Sequence, residues 1–215
     1  MNIEGVIFDM DGTIIHNYKY HVDAWLRVCN ELGINKTEDE VLSLFGKTNA
    51  ETFYALLGYD LPDNELHYWA ERKEIFYRDG YKGHVHPING LIPFLDFLKN
   101  KGIKTGLATS APTENVDFVL TEANLKNRFD VITDASGVSK GKPDPEIFLL
   151  TAKRLSLKPE QCLVFEDAPL GIMAARSAKM KVISLITTFR KEQLPEADLF
   201  INDYTDLDHY LNQLF

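Results

Sequence analysis

Cysteine is scarce in this chain: only Cys29 and Cys162 occur in 215 residues. Two thiols so far apart make neither a disulfide framework nor a zinc cluster, and without a nearby histidine neither reads as a nucleophile, so both are expected to pack in a core. Long apolar runs are missing as well, since no stretch approaches the ~18 residues of a membrane span. The first apolar run is short, has no basic leader and runs straight into aspartates, unlike a signal peptide. A cytoplasmic protein with no membrane partner is expected. An excess of basic residues is also absent. The formal net charge is -9, with the two signs interspersed, which argues against the basic face that nucleic-acid binding requires. An anionic substrate is still allowed, because a buried metal and one well-placed lysine outweigh surface charges screened over about 8 Å. A monomer is expected.

What is present suffices for a full core: 45% of the residues are hydrophobic and 26% charged, enough for one large domain or a domain with an insert. From Tyr18 to Arg78 the signals are all helical: Tyr18 to Leu32 closed by Gly33, Thr37 to Phe45 closed by Gly46, Thr48 to Leu57 closed by Gly58, and Pro62 to Asp79 closed by Gly80. Glycine past a helix end and Thr, Asn or Asp at its start are the capping residues. Strand-like runs resume at Lys104 to Thr109, Asp130 to Thr133, Cys162 to Phe165, Lys181 to Leu185 and Leu199 to Ile201. Strands alternating with helices predict a parallel α/β sheet. The chain therefore divides into a discontinuous α/β core, residues 1–15 and 84–215, and an all-helical insert, residues 16–83. The joins near Ile14 to Asn17 and Gly80 to Pro87 have the composition of a hinge.

Four segments carry chemistry. Gly5-Val6-Ile7-Phe8-Asp9-Met10-Asp11-Gly12-Thr13 is an apolar strand ending in two aspartates, at the strand end where a doubly wound sheet binds ligands. Two carboxylates one residue apart resist joint ionisation unless a cation or a shared proton relieves them, so a magnesium site or an acid/base pair is implied; a plain Asp-Gly turn is the alternative. A calcium loop would place glycine sixth and glutamate twelfth, where this segment has Gly12 fourth and Tyr20 twelfth. Gly106-Leu107-Ala108-Thr109-Ser110 ends in hydroxyls able to bind phosphate oxygens. In Ser139-Lys140-Gly141-Lys142-Pro143-Asp144-Pro145-Glu146, Lys142 lies just before a helix start and can pair with phosphate as a point charge, with Lys140 as competitor. Cys162-Leu163-Val164-Phe165-Glu166-Asp167 is a second apolar strand ending in paired acids. Magnesium takes oxygen ligands and keeps several waters, which suits Asp9 and Asp167.

In this order the set resembles the haloacid dehalogenase superfamily of phosphotransferases, over the whole core, and the insert resembles that family's small helical cap. The resemblance implies a Rossmann-like doubly wound sheet and a magnesium cofactor. Asp9 would be the nucleophile that forms an aspartyl-phosphate and a metal ligand. Asp11 would act as general acid and then base, with its carbonyl on the metal. Thr109 and the Ser110 backbone would hold phosphoryl oxygens, Lys142 would neutralise charge, Asp167 would ligate the metal, and Glu166 would do so directly or through water. A carboxylate with a pKa of about 3.9 is ionised at neutral pH, so Asp9 needs no base but must be shielded from a phosphate dianion. Dehalogenation is disfavoured, because halide leaves without a proton and dehalogenases of this superfamily lack the second aspartate.

Within the superfamily the chain is similar to β-phosphoglucomutase and its sugar-phosphatase relatives. Tyr20-His21-Val22-Asp23-Ala24-Trp25 matches their Tyr-His-x-x-Ala-Trp segment, and Arg72-Lys73 followed by Tyr77 resembles their basic pair on a cap helix. His21 would orient Asp11 or simply pack at the hinge, and Trp25 would be cap core. The mutase's cap-loop arginine, which grips the phosphate not being transferred, is matched here by Asn49 in Gly46-Lys47-Thr48-Asn49. Without that clamp a bisphosphate intermediate should escape and water should take the phosphoryl group. The expectation is a phosphatase of small phosphate esters such as sugar phosphates, with cap residues His21, Lys47, Asn49 and Lys73 on the substrate. Lys47 replacing the arginine would make it a mutase, and a non-catalytic phosphometabolite-binding protein is the alternative of another class.

Overall fold

The computed structural model describes residues 3–45 and 47–211, without the side chains of Asp208 and His209. Gly46, expected to close the second helix, and the two chain ends expected in the core, residues 1–2 and 212–215, lie outside the described residues.

The chain forms two compact units, one of Met1–His16 with Val85–Phe215 and one of Asn17–His84. The first is built on six strands: β1 Gly5–Phe8, β2 Lys104–Ala108, β3 Val131–Thr133, β4 Cys162–Glu166, β5 Lys181–Leu185 and β6 Leu199–Ile201. All neighbours pair parallel, in the order β3-β2-β1-β4-β5-β6. This is the doubly wound α/β sheet predicted from the alternation of elements. Such a sheet is covered on both faces, so its central strand must be apolar on both sides. β1 meets that demand, with Val6, Ile7 and Phe8 all buried. Its register, Phe8 opposite both Leu107 and Phe165, brings the ends of three strands level.

The two faces are packed differently. On one, Ile7, Val164 and Val182 join Phe148 and Ala152 of α7 (Glu146–Arg154) and Ile172, Ala174 and Ala175 of α8 (Pro169–Ser177). On the other, Phe8 stacks on Phe165 at 5.2 Å, and both meet Phe94 of α5 (Leu91–Asn100) and Tyr204. The Tyr204 hydroxyl donates to the Thr13 carbonyl at 3.0 Å, so the aromatic face also fixes the loop that follows β1. The remaining core helix, α6 (Thr113–Glu122), follows β2. Both cysteines are buried as free thiols.

The second unit is all helical: α1 Tyr18–Glu31, α2 Glu38–Leu42, α3 Asn49–Leu57 and α4 Asp63–Tyr81. Thr37 and Thr48 cap α2 and α3 through reciprocal bonds with Glu40 and Glu51. α1 packs on α4, with His21 stacked on Tyr77 at 3.9 Å and Tyr20 on Tyr81 at 4.3 Å. Two helix ends differ from the sequence reading. α2 stops at Leu42 and the chain continues in turns to Phe45. α4 runs through Gly80 to Tyr81, and the left-handed turn is made by Gly83, at φ 76°. Burial of Tyr81 against Tyr20 and Tyr77 outweighs the ~1 kcal/mol that glycine costs inside a helix. Among the described residues no helix is long and apolar enough to cross a membrane.

Candidate active site

The carboxyl ends of β1 and β4 converge on one buried cluster. The Asp9 N–H donates to the Phe165 carbonyl at 3.0 Å, carrying the β1–β4 ladder one residue past the strand and aligning Asp9 with the end of β4. Lys142 bridges the two strands, its Nζ donating to Asp9 Oδ1 and to Glu166 Oε1, each at 2.6 Å. Lys142 reaches this position because the Glu146 carboxylate, at the start of α7, accepts from the Ser139 and Lys140 N–H groups and from the Ser139 hydroxyl. Its competitor Lys140 is exposed beside Asp144.

Glu166 is fully engaged. Oε1 receives Lys142, and Oε2 accepts the N–H groups of Asp167 and Ala168 at 2.7 Å each, at the start of α8, where a helix favours negative charge. A Cβ on Gly171 would fall 1.6 Å from Glu166 Oε1, so only glycine leaves room for this carboxylate. Asp167 lies beside it, with Oδ1 accepting the Thr13 hydroxyl at 3.3 Å. Gly12 turns the chain at φ 74°, and a Cβ there would sit 2.0 Å from Asp167 Oδ2. The turn is closed by Gly12 N–H to the Ile15 carbonyl at 2.9 Å, and it leaves Asp11 half-buried and near enough to Asp9 to act on its charge.

The cluster is short of positive charge. Asp9, Glu166 and Asp167 are all buried, and one ammonium is shared by the first two. Burial pushes the Asp9 carboxyl up to about 8, with Lys142 opposing and Glu166 and Asp11 adding to the rise. Burial also holds Asp167 well above the usual carboxylate range, with Glu166 and Asp9 contributing. Burial works against the charge on Lys142, but Asp9 and Glu166 outweigh it and raise its pKa. Among the described residues no group of three His, Cys, Asp or Glu is already gathered around a metal position. The donors nevertheless fit a hard cation: uncompensated carboxylate oxygens in a buried pocket are what magnesium takes, with water filling the remaining positions.

The next strand end carries the hydroxyls. Thr109 N–H donates to the Thr133 carbonyl at 3.0 Å, and the Thr109 hydroxyl accepts from Ala111 N–H at 3.0 Å, so its own proton is left to donate elsewhere. Ser110 is exposed.

The helical unit gathers three of its four candidates in a separate cluster. Lys73, buried on α4, places Nζ 2.9 Å from His21 Nδ1 and 3.0 Å from both oxygens of Glu74. Asn49 Nδ2 donates to Glu74 Oε1 at 3.4 Å. Asn17 links the other side of His21, at 3.3 Å from Nε2, to the Tyr77 hydroxyl at 2.8 Å. Lys47 is exposed outside this set.

The family model for haloacid dehalogenase-like hydrolases matches residues 6–185. The chain belongs to this family. A phosphorylated carbohydrates phosphatase of Thermotoga maritima is 34% identical, over 84% of each chain. The β-phosphoglucomutase of Bacillus subtilis is 31% identical over 95% of this chain and 92% of its own. The crystal structure of a β-phosphoglucomutase from Clostridium difficile superposes with a TM-score of 0.88, at 30% identity, covering 98% of this chain and 96% of that one. The relatives of this haloacid dehalogenase-like hydrolase are phosphatases of sugar phosphates and other small phosphorylated compounds, with β-phosphoglucomutase as a related member. Such phosphatases and mutases generally use magnesium.

The sequence reading of this hydrolase passed over Glu74, Asn17, Thr187 and Thr188. Thr187 and Thr188 follow β5, and the rule that chemistry gathers at strand ends would have found them had it been applied to hydroxyls there as well as to acids.

Proposed function

We propose that this chain is a magnesium-dependent phosphatase of small phosphorylated sugars or similar metabolites, working through an aspartyl-phosphate on Asp9. The observation that carries the reading is the buried Asp9 carboxylate held at the end of β1 by the Lys142 ammonium at 2.6 Å. A nucleophile fixed in this way needs no search for its geometry, and Lys142 offsets the repulsion between carboxylate and phosphate dianion.

In the first step an Asp9 oxygen attacks phosphorus, the phosphorus–ester oxygen bond breaks, and Asp11 gives its proton to the leaving oxygen. In the second, water attacks the aspartyl-phosphate, Asp11 takes a proton from that water, and inorganic phosphate leaves with Asp9 regenerated. One group serving both proton transfers contributes ~10²- to 10⁴-fold at each. The Thr109 hydroxyl and the Ser110 N–H hold phosphoryl oxygens. Magnesium, bound by the Asp9 and Asp167 carboxylates and the Asp11 carbonyl, would spread the charge of the equatorial oxygens. Glu166, whose oxygens are taken by Lys142 and the start of α8, acts through the lysine and by way of water on the cation, and is not a direct ligand in this reading. A cytoplasmic, monomeric enzyme is part of the same proposal.

The leaving group is assigned to the helical unit: Lys73, His21 and Asn49, with Lys47 in the loop before α3. Asn49 favours hydrolysis over mutation, since a neutral amide, resting on the Glu74 carboxylate, offers a second phosphate dianion no charge to hold it where an arginine would. The mutase is the second reading, favoured by the β-phosphoglucomutase relatives and by Lys47. Phosphorus NMR with magnesium and a panel of sugar phosphates separates the two. The panel includes β-glucose 1-phosphate primed with a trace of glucose 1,6-bisphosphate. Inorganic phosphate released by the parent and lost in Asp9→Asn supports the phosphatase, with a decrease on the order of 10⁴-fold or more. Conversion to glucose 6-phosphate without phosphate release would establish the mutase instead.

A further inference from the structure

β5 ends beside the acid cluster without contributing a carboxylate, and two consecutive hydroxyls follow it. The Thr187 hydroxyl donates to the Gly12 carbonyl at 2.5 Å. The Thr188 Oγ1 lies 2.5 Å from where a Gly12 Cβ would be, and Asp167 Oδ2 lies 2.0 Å from the same point, so hydroxyl and carboxylate oxygen converge on one spot beside Gly12. Both threonines are half-buried, so neither hydroxyl is simply a solvated surface group. We propose that Thr187 and Thr188 are positioning residues of the cation site: Thr188 aims the Asp167 carboxylate, and Thr187 pins the turn that carries Asp11.

The need for Thr188 follows from where the ammonium goes. Lys142 points at Asp9 and Glu166, which leaves Asp167 to be oriented by hydroxyls. Thr13 donates to Oδ1, and Thr188, three residues past β5, brings a second hydroxyl to the Oδ2 side, where it would oppose rotation of the carboxylate about its Cβ–Cγ bond. A carboxylate fixed from behind presents its remaining lone pairs in one direction, which is how groups behind a metal ligand set its affinity. Thr187 acts elsewhere. Gly12 separates Asp11 from Thr13, and its carbonyl, held by Thr187 just past β5, ties this turn to the sheet in addition to the Tyr204 bond to the Thr13 carbonyl. Glycine is required at the joint, because a side chain there would displace both Asp167 and Thr188.

The assignment rests on the magnesium reading above, so its test measures metal binding without turnover. Magnesium is titrated alone into the intact protein and followed by the shift in thermal unfolding midpoint, for the parent and for Thr188→Val, Thr188→Ala, Thr188→Ser and Thr187→Val. Thr188→Val and Thr188→Ala should weaken magnesium by about 10- to 100-fold, and Thr188→Ser should return it to within about 3-fold of the parent. Thr187→Val should keep magnesium affinity within about 3-fold while lowering kcat more than it changes KM, as expected of a displaced Asp11. Thr188→Val and Thr188→Ala that bind magnesium like the parent would overturn the role of Thr188 and leave the magnesium reading standing. A parent that shows no magnesium-dependent shift would overturn both. Serine failing to rescue would overturn the hydroxyl as the cause.

Discussion

Each unit of this protein buries one lysine among acids, and the two are arranged to opposite ends. Lys73 faces Glu74, its neighbour in the chain, with both carboxylate oxygens at 3.0 Å, and the rings of Trp25 and Tyr77 lie 5.6 Å and 5.7 Å from its ammonium. One ammonium meets the carboxylate of its chain neighbour, and the pair itself is neutral. Lys142 is shared between Asp9 and Glu166, which come from strands far apart in sequence, with Asp167 and Asp11 close by. There the negative charges outnumber the positive one. A neutral buried set is complete within the protein, whereas a buried set with excess negative charge is complete only with a cation, or with protons. The difference distinguishes a polar cluster able to meet a neutral leaving group without a further ion from one that calls for a cation.

The largest effect should come from breaking this contrast at the lysines. Lys142→Met leaves Asp9 and Glu166 buried without their counter-charge, and losing one partner of a buried pair costs about 3–5 kcal/mol. Activity should fall with it, since the same ammonium shields the attack on phosphate. Lys73→Met alone should destabilise for the same reason, but Lys73→Met/Glu74→Leu removes both charges and should return to within about 1–2 kcal/mol of the parent, because well-packed apolar replacements for a buried pair are often neutral. Urea unfolding of the three variants checks this. A double variant as unstable as Lys73→Met would show that the helical cluster is not self-contained.

The second test uses protons. Burial raises the Asp9 and Asp167 carboxyls in the folded protein above the ordinary aspartate value of 3.8, so without metal they hold protons that the unfolded chain has already released. Folded protein then binds more protons than unfolded protein between about pH 4 and pH 8, and stability falls as pH rises through that window. Magnesium binds the ionised form and should cancel the fall. Thermal unfolding in chelator should give a midpoint that drops from about pH 5 to pH 8, and the increase on adding magnesium should grow with pH, from nearly nothing near pH 4. A metal-free midpoint that rises over this range would mean that Lys142 alone keeps the acids ionised.

Much of this arrangement is legible in the sequence, and the parts that are not share a cause. The strands could be read because each is a short apolar run with turn residues at its end, and their alternation with helices leaves few topologies. Asp9, Glu166 and Asp167 could be singled out because acids recur in pairs at the ends of apolar strands, and Lys142 because it lies just before a helix start. The resemblance chose Lys142 over Lys140, but the residues alone did not, since the physical reason is Glu146 reaching back to the Ser139 and Lys140 N–H groups. Glu166 was read from the resemblance as a metal ligand, directly or through water; what the sequence does not show is that the start of α8 and Lys142 hydrogen-bond its oxygens. Thr187 and Thr188 went unnoticed because hydroxyls after a strand are ordinary, and only the fold shows that they meet Gly12 and Asp167.

The end of α4 was misplaced for the same reason, and it yields the smallest and cleanest test of the contrast between the units. Glycine signals a helix end locally, but Gly80 is helical and the nearest atom that a Cβ there would meet is Tyr20 Cδ1 at 3.9 Å, an ordinary contact. Alanine at 80 should therefore stabilise the protein by about 0.5–1 kcal/mol through helix propensity, with no change in kcat. Gly171 is helical too, yet alanine there would drive a methyl into Glu166, and both stability and turnover should fall as the carboxylate is displaced from Lys142. The two glycines are equivalent by propensity alone, so opposite signs in a urea melt would show that the helical unit has stability to gain while the end of β4 has been fitted to its charges. Gly171→Ala behaving like Gly80→Ala would mean that Glu166 can move without consequence, and that Lys142 is held in place by Asp9 alone.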